Sequence, residues 1–352
     1  MRKACLFAAS LLAFGTAAAA QTGVQIGAPS DSAAVSVLQP QATQLVDPAE
    51  NPVKLADGFA FTEGPIWVRR GGYLLFTDIP GNVIWKLVPG KRASVYHLNA
   101  GYIGPEIFRV GGLNDNGFAK DDPRYVEYAM IGPDGLALDR QGRVVMATFA
   151  GRSIARLERD GRRVELTGSF HGQRFNGPND LVVKSDGAIY FTDTFGGLRK
   201  RANDPRKALP INAVLRWKNG AISEVVTDMA MVNGLAFSPG EKILYVNGNT
   251  DNYINAYDVH ADGSLGKGRL FFTLDGDKAT GTTDGMKVDR RGDVWVTGPG
   301  GIWIISPGGV HLATIHFPEK PINFTFGGAD HRTLFVTAHT GIYSLRTRVS
   351  GL

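Results

Sequence analysis

The chain has 352 residues, a formal net charge of +5, 43% hydrophobic and 20% charged residues. That composition supplies a sizeable core and excludes a disordered chain. Its 45 glycines and 18 prolines exclude a helical bundle and suit a chain that turns every few residues, and the glycines lack the three-residue period of collagen. The basic residues are scattered, with Arg162 and Arg163, and Lys200 and Arg201, as isolated pairs; no nucleic-acid partner is expected, because such proteins concentrate positive charge on one face.

In chain order the first expected element is a secretory signal over residues 1–20. Arg2 and Lys3 form the basic start, residues 4–14 the apolar run, and Ala18 and Ala20 a small-residue cleavage site before Gln21. Cleavage there removes two positive charges, leaving +3. The run is too short to span a bilayer, so the mature chain is expected to be periplasmic or secreted, without a membrane partner. The single cysteine, Cys5, lies inside the signal, so the mature chain has no disulfide, thiol nucleophile or thiolate metal site. Residues 21–50, rich in Gln, Ser, Ala and Pro, read as a flexible leader. Residues 51–352 read as one domain.

That domain is governed by a repeat. An acidic or amide residue, often followed by Gly, leads a short apolar segment, a turn and a β-rich run. It recurs at Glu63-Gly64-Pro65, Asp134-Gly135-Leu136, Asn179-Asp180-Leu181, Asn233-Gly234-Leu235, Asp284-Gly285-Met286 and Asn323-Phe324-Thr325. In four copies a glycine falls eight positions on (Gly71, Gly142, Gly187, Gly292), where a hairpin must reverse. The copies are 39–71 residues apart, about 52 on average, enough for one four-stranded blade with its loops. The expected fold is all-β, a six-bladed β-propeller with a central metal site. Few residues remain after the last repeat, so residues 53–61 are expected to supply the outer strand of the sixth blade. The first interval is overlong; its surplus, residues 104–131, reads as a long loop on one face, either decorative or a lid over the channel.

A propeller brings the first strand of every blade to the axis. Glu63, Asp134, Asn179, Asn233, Asp284 and Asn323 should therefore face one another. Any one Asn-Gly or Asp-Gly is a hairpin signal, but six carboxylates or amides in register make an oxygen ring suited to a hard cation such as Ca²⁺.

From Glu63 to Leu345 the chain resembles the SMP-30/gluconolactonase/LRE-like (regucalcin-like) family. The resemblance rests on Phe170-His171-Gly172-Gln173-Arg174-Phe175-Asn176-Gly177-Pro178-Asn179-Asp180-Leu181 and Tyr190-Phe191-Thr192-Asp193. Glu63-Gly64-Pro65, Asn233-Gly234-Leu235-Ala236-Phe237-Ser238, Asp284-Gly285-Met286 and Gly327-Gly328-Ala329-Asp330 support it. It implies a six-bladed propeller with one divalent cation, Ca²⁺ foremost with Zn²⁺, Mn²⁺ or Mg²⁺ as alternatives. It also implies hydrolysis of a small-molecule lactone. The family's metal ligands fall on Glu63, Asn179, Asn233 and Asp284. Its sugar-type members carry an Arg two residues before the P-N-D asparagine; Gly177 stands there, with Arg174 nearby in sequence. A relative's second calcium uses an acidic residue where this chain has Lys287, so no second calcium site of that kind is expected.

Asp284 is the expected general base and Glu63 a metal ligand only; Asp134, Asn179, Asn323 and Arg174 are the candidate substrate contacts. The resemblance also admits covalent attack by Asp284, an organophosphate or aryl-ester substrate, or a binding propeller whose calcium is structural. Other hydrolytic machinery is missing from the sequence: there is no G-x-S-x-G elbow, no phosphate-binding G-x-x-x-x-G-K-[ST] loop and no H-E-x-x-H pair. His171 and His339 lie near motifs. The five tryptophans read as packing between blades.

Overall fold

A computed structural model describes residues 34–116, 120–210 and 212–352; the expected signal and the start of the leader lie outside them. Six antiparallel sheets follow one another along the chain. Blade 1 is Thr62–Val68, Tyr73–Asp78, Val83–Leu87 and Ser94–Leu98. Blade 2 is Leu136–Leu138, Val144–Ala147, Ile154–Leu157 and Arg163–Thr167, and blade 3 is Pro178–Val183, Ile189–Asp193, Ala213–Lys218 and Ala221–Val226. Blade 4 is Leu235–Phe237, Ile243–Gly248, Tyr253–Asp258 and Arg269–Thr273; blade 5 is Met286–Val288, Val294–Gly298, Gly301–Ile305 and His311–Ile315. Blade 6 is Pro321–Gly327, Thr333–Ala338, Gly341–Arg346 and, as its outer strand, Val53–Asp57. The protein is the six-bladed β-propeller that the repeat predicts, closed by the segment expected to close it, with Val53 opposite Ser344 and Asp57 opposite Gly341.

The second strand of each blade is packed on both faces, which is why Ile189–Asp193 and Val294–Gly298 are buried at every residue. Their alternation sorts side chains between two neighbours rather than between core and water. In blade 3, Tyr190 packs with Phe237 of blade 4, while Phe191 packs with Val145 of blade 2. Each of the six junctions between blades has such an apolar cluster. Tryptophans serve four of these junctions, with Trp85 beside Trp67, Trp217 between blades 2 and 3 and Trp303 between blades 4 and 5. Trp67 stacks on Phe335 at 4.9 Å between blades 1 and 6, and the fully buried Trp295 meets Phe326 edge-on between blades 5 and 6.

The glycine after the leading residue is a packing requirement rather than a turn. A Cβ on Gly64 would lie 2.1 Å from the carbonyl oxygen of Asp134, and one on Gly234 2.1 Å from that of Asp284. These carbonyls belong to the leading residues of the next blades, so the missing side chain lets the inner strands converge. The hairpin glycines behave as expected at Gly142, Gly187 and Gly292, which take positive φ; in the first hairpin Gly72 does so, not Gly71.

The leader expectation needs correcting within the described residues. Val35–Val37 adds a fifth strand to blade 5, pairing with His311–Ile315, and Pro40–Gln44 forms a 3₁₀ turn. Ala42, Leu45 and Val46 are buried against blades 5 and 6, and Val46 bridges to Thr347. Short apolar stretches between polar residues carry no periodicity, so their docking was invisible in sequence. Leu45→Ala is expected to destabilise the fold by about 2–5 kcal/mol, the range for a buried Leu; chemical denaturation measures it, and a freely moving leader would give no change.

Candidate active site

The first strand's entry and the second strand's exit lie at the same end of each blade. In two blades a carboxylate pins them together. Asp78 accepts from the N–H groups of Ala60 (3.2 Å) and Phe61 (3.1 Å); Asp193 accepts from those of Asn176 (2.9 Å) and Gly177 (2.7 Å). Burial pushes both carboxyls up, Asp193 to about 7, against the lowering effect of these donors.

At that end a cavity of about 130 Å³ opens on the axis. Five of the six leading residues line it: Glu63, Asp134, Asn179, Asn233 and Asp284. Asn179 Nδ2 donates to Asp134 Oδ2 at 2.5 Å, and the Asn233 side chain hydrogen-bonds Asp284. Each amide therefore turns its nitrogen to a carboxylate and leaves Oδ1 buried without a partner. Glu63 Oε2 accepts from Gly64 N (2.5 Å) and from Asn323 Nδ2 (2.9 Å).

The electrostatics follow from this crowding. Burial, opposed by the Gly64 N–H and reinforced by Asp180, lifts Glu63 to about 7. Burial first, then the Glu63 charge, raises Asp134 and Asp284 well above the ordinary carboxylate range. Lys287, beneath the ring, donates to Asn323 Oδ1 at 3.3 Å, and its charge acts downward on Glu63, Asp180 and Asp284. Among the described residues, no three His, Cys, Asp or Glu side chains cluster closely enough to hold a metal by themselves. The fit to a cation therefore depends on mixed donors. The orphaned oxygens of Asn179 and Asn233, beside the Glu63 and Asp284 carboxylates, are all-oxygen donors of the kind that hard cations take.

Two expected substrate contacts are placed otherwise. Asn323 has both ends of its amide occupied, by Glu63, Lys287 and the Phe324 N–H, so it supports the cavity from behind. Arg174 is exposed, pairs with Glu165 at 3.1 Å and donates to the Gly151 carbonyl; it is not in the lining. Asp134 and Asn179 do line the cavity. His171 is exposed on a turn.

The lining also contains residues the sequence reading passed over: Phe61, Ile79, Met130, Phe149, Thr194, Arg201, Met231, Val232, Asn114 and Asn249. Most sit just before a first strand or just after a second one, so the repeat itself carried the signal. Asn114 and Met130 come from the overlong first connection, which folds as a short hairpin, Leu113–Asp115 against Glu127–Ala129. It is tied to blade 3 by Gly112 N on Gly196 O (2.9 Å), Arg201 on Leu113 O (2.9 Å) and Arg199 on Phe108 O (2.8 Å). The insertion is thus part of the cavity wall.

Residues 61–340 match the profile of the SMP-30/Gluconolactonase/LRE-like region, and the chain belongs to that family. It is 28% identical to a gluconolactonase of Zymomonas mobilis over 99% of this chain and 98% of the relative. It is 25% identical to regucalcin of Oryctolagus cuniculus over 78% of this chain and 82% of that one. Its fold matches that of a gluconolactonase of Xanthomonas campestris with a TM-score of 0.73 and 26% identity, covering 91% of this chain and 96% of the other.

His339 packs behind the cavity wall, its ring 5.1 Å from that of Phe61. Burial and Lys320 lower it to about 4, with Glu319 and Asp115 opposing. The unfolded chain therefore takes up this proton first. Its contribution to stability is full above pH 6.5 and is lost as pH falls towards 4, by at most about 3 kcal/mol. His339 has φ +32°, which Asn tolerates. In denaturation curves from pH 7.5 to 4, His339→Asn is expected to lose less stability than the parent by up to that amount.

Proposed function

We propose that the chain is an exported hydrolase of cyclic esters that opens a lactone with one divalent cation, Ca²⁺ foremost, held by Glu63, Asn179, Asn233 and Asp284. The observation that carries this reading is the pair of buried, partnerless amide oxygens facing carboxylates that burial and mutual repulsion have pushed towards neutrality. The gluconolactonase relatives support the reaction class.

A cation in that position supplies the positive charge that polarises an ester carbonyl. The protein's own groups do the rest. Gly64 and Asn323 hold Glu63 by one carboxylate oxygen, leaving the other for the cavity. Asp134 fixes the rotamer of Asn179 so that its Oδ1 faces inward. Asp284 takes a proton from water as the water oxygen bonds to the carbonyl carbon, then returns it to the ring oxygen as the ring C–O bond breaks, giving a hydroxy acid. The apolar side chains of the wall limit water around the ester.

Asp284→Asn keeps the shape and an oxygen donor but removes the proton acceptor. In metal-loaded protein kcat is expected to fall roughly 10²-fold or more with the fold intact, the usual size of a general-base contribution. Glu63→Gln should act through metal affinity and recover partly with excess cation. Metal content is measured in both variants. Full activity of metal-loaded Asp284→Asn rejects the assignment of the base. Stoichiometric metal without hydrolysis of any lactone, aryl ester or phosphotriester favours a binding propeller instead.

Export has its own check: protein recovered from the periplasm or medium is expected to begin at Gln21, which N-terminal sequencing reads directly.

A further inference from the structure

Backbone strain gathers at this cavity. Phe149 lines it with φ +42°, and Arg201, also in the lining, has φ +49°. A bulky aromatic in the left-handed region is a true outlier, where Gly or Asn would be far less strained. Such strain persists when the surroundings hold it and a site uses it. Here the following turn holds it: Arg152 N donates to Phe149 O (2.9 Å) and Gly151 N to Thr148 O (2.8 Å). Thr148 is itself fully buried, with its hydroxyl on Ser153 O at 2.8 Å. The ring seats against Gly196, where a Cβ would lie 2.6 Å from Phe149 Cζ.

Phe149 does not serve a junction between blades. It belongs to a seventh apolar cluster with Phe61, Ile79, Met130 and Ile322, and four of these five residues line the cavity. One wall is therefore a continuous apolar surface, opposite a floor of carboxylates and amides. The cavity, about 130 Å³, approaches the roughly 150 Å³ that houses one benzene ring. It suits a single ring. A polyhydroxylated lactone laid on that wall would turn hydroxyls against apolar side chains that replace none of their water hydrogen bonds, since Asn114, Thr194, Arg201 and Asn249 of the lining lie outside the apolar cluster. A lactone with an apolar ring face or substituent meets no such penalty and gains the contact.

We infer that the substrates of this site are apolar lactones, alkyl- or aryl-substituted, and that Phe149 is the specificity-determining residue that selects them. The inference rests on the hydrolase reading for its kinetic test, and on binding alone for a second one. Metal-loaded protein is assayed with glucono-δ-lactone, δ-valerolactone and δ-decalactone. The parent is expected to favour δ-decalactone over glucono-δ-lactone at least tenfold in kcat/KM. Phe149→Asn, which relieves the strained φ but removes a buried ring from the apolar cluster, should lower the δ-decalactone to δ-valerolactone ratio at least tenfold, mainly through KM, with thermal stability equal or lower. Phe149→Leu, which keeps apolar bulk, should retain most of the preference and guards against a folding defect. A preference for glucono-δ-lactone, or equal losses on all three substrates in Phe149→Asn, overturns the inference. If no lactone is hydrolysed the lactonase reading fails, and calorimetry with 2-pentyltetrahydropyran decides the inference separately. At least tenfold weaker binding to Phe149→Asn than to the parent supports it; equal binding overturns it.

Discussion

The structure is organised around an electrostatic debt. Glu63, Asp134, Asp180 and Asp284 are brought to one axis, away from bulk water, and Glu63, Asp180 and Asp284 each raise the pKa of at least one of the others. Unrelieved burial of several carboxylates is among the most unfavourable things a fold can do, and the neighbouring residues answer it. Asn179, Asn233 and Asn323 each direct an amide donor to one of the carboxylates. Lys287 adds a positive charge below the ring. Convergence itself depends on Gly64 and Gly234, whose missing side chains let adjacent inner strands approach. The residual imbalance is what the proposed cation would relieve, so under that proposal metal affinity and the stability of the propeller's centre are two aspects of one arrangement.

Much of this was legible in the sequence because the repeat has a fixed phase. Six acidic or amide residues at the starts of first strands could only be in register if the fold returned each to a common axis. Blade number, the closing strand and five of the cavity residues followed from that. What the repeat could not convey was which end of an amide is free. Asn179 and Asn323 look alike in sequence, yet one offers an oxygen to the cavity and the other has both ends occupied by Glu63, Lys287 and a backbone N–H.

The remaining gaps have physical causes. Arg174 lay close to the motif in sequence, but its short hairpin, Ser169–Phe170 with Gln173–Arg174, directs it to Glu165 on the outside. In sequence Arg201 is one more dispersed basic residue, because its relation to the cavity depends on the insertion hairpin, a contact 88 residues away. Phe149 and Met130 were unremarkable apolar residues until a strained backbone and a docked insertion turned them into a wall. Side chains on connections are placed by tertiary contacts rather than by strand periodicity, so their roles emerge only in three dimensions.

The double clasp near the start of the chain also has a kinetic meaning. Blade 6 is completed by Val53–Asp57, and blade 5 carries Val35–Val37 along its outer edge, so pairings some 280 residues apart close the ring. Blades 1 to 4 draw all four strands from contiguous stretches and can form as the chain emerges from the ribosome. The ring itself has to wait for the last strands to be made. During that interval the blade edges stay open, and the early segment waits unpaired for the strands that will seat it.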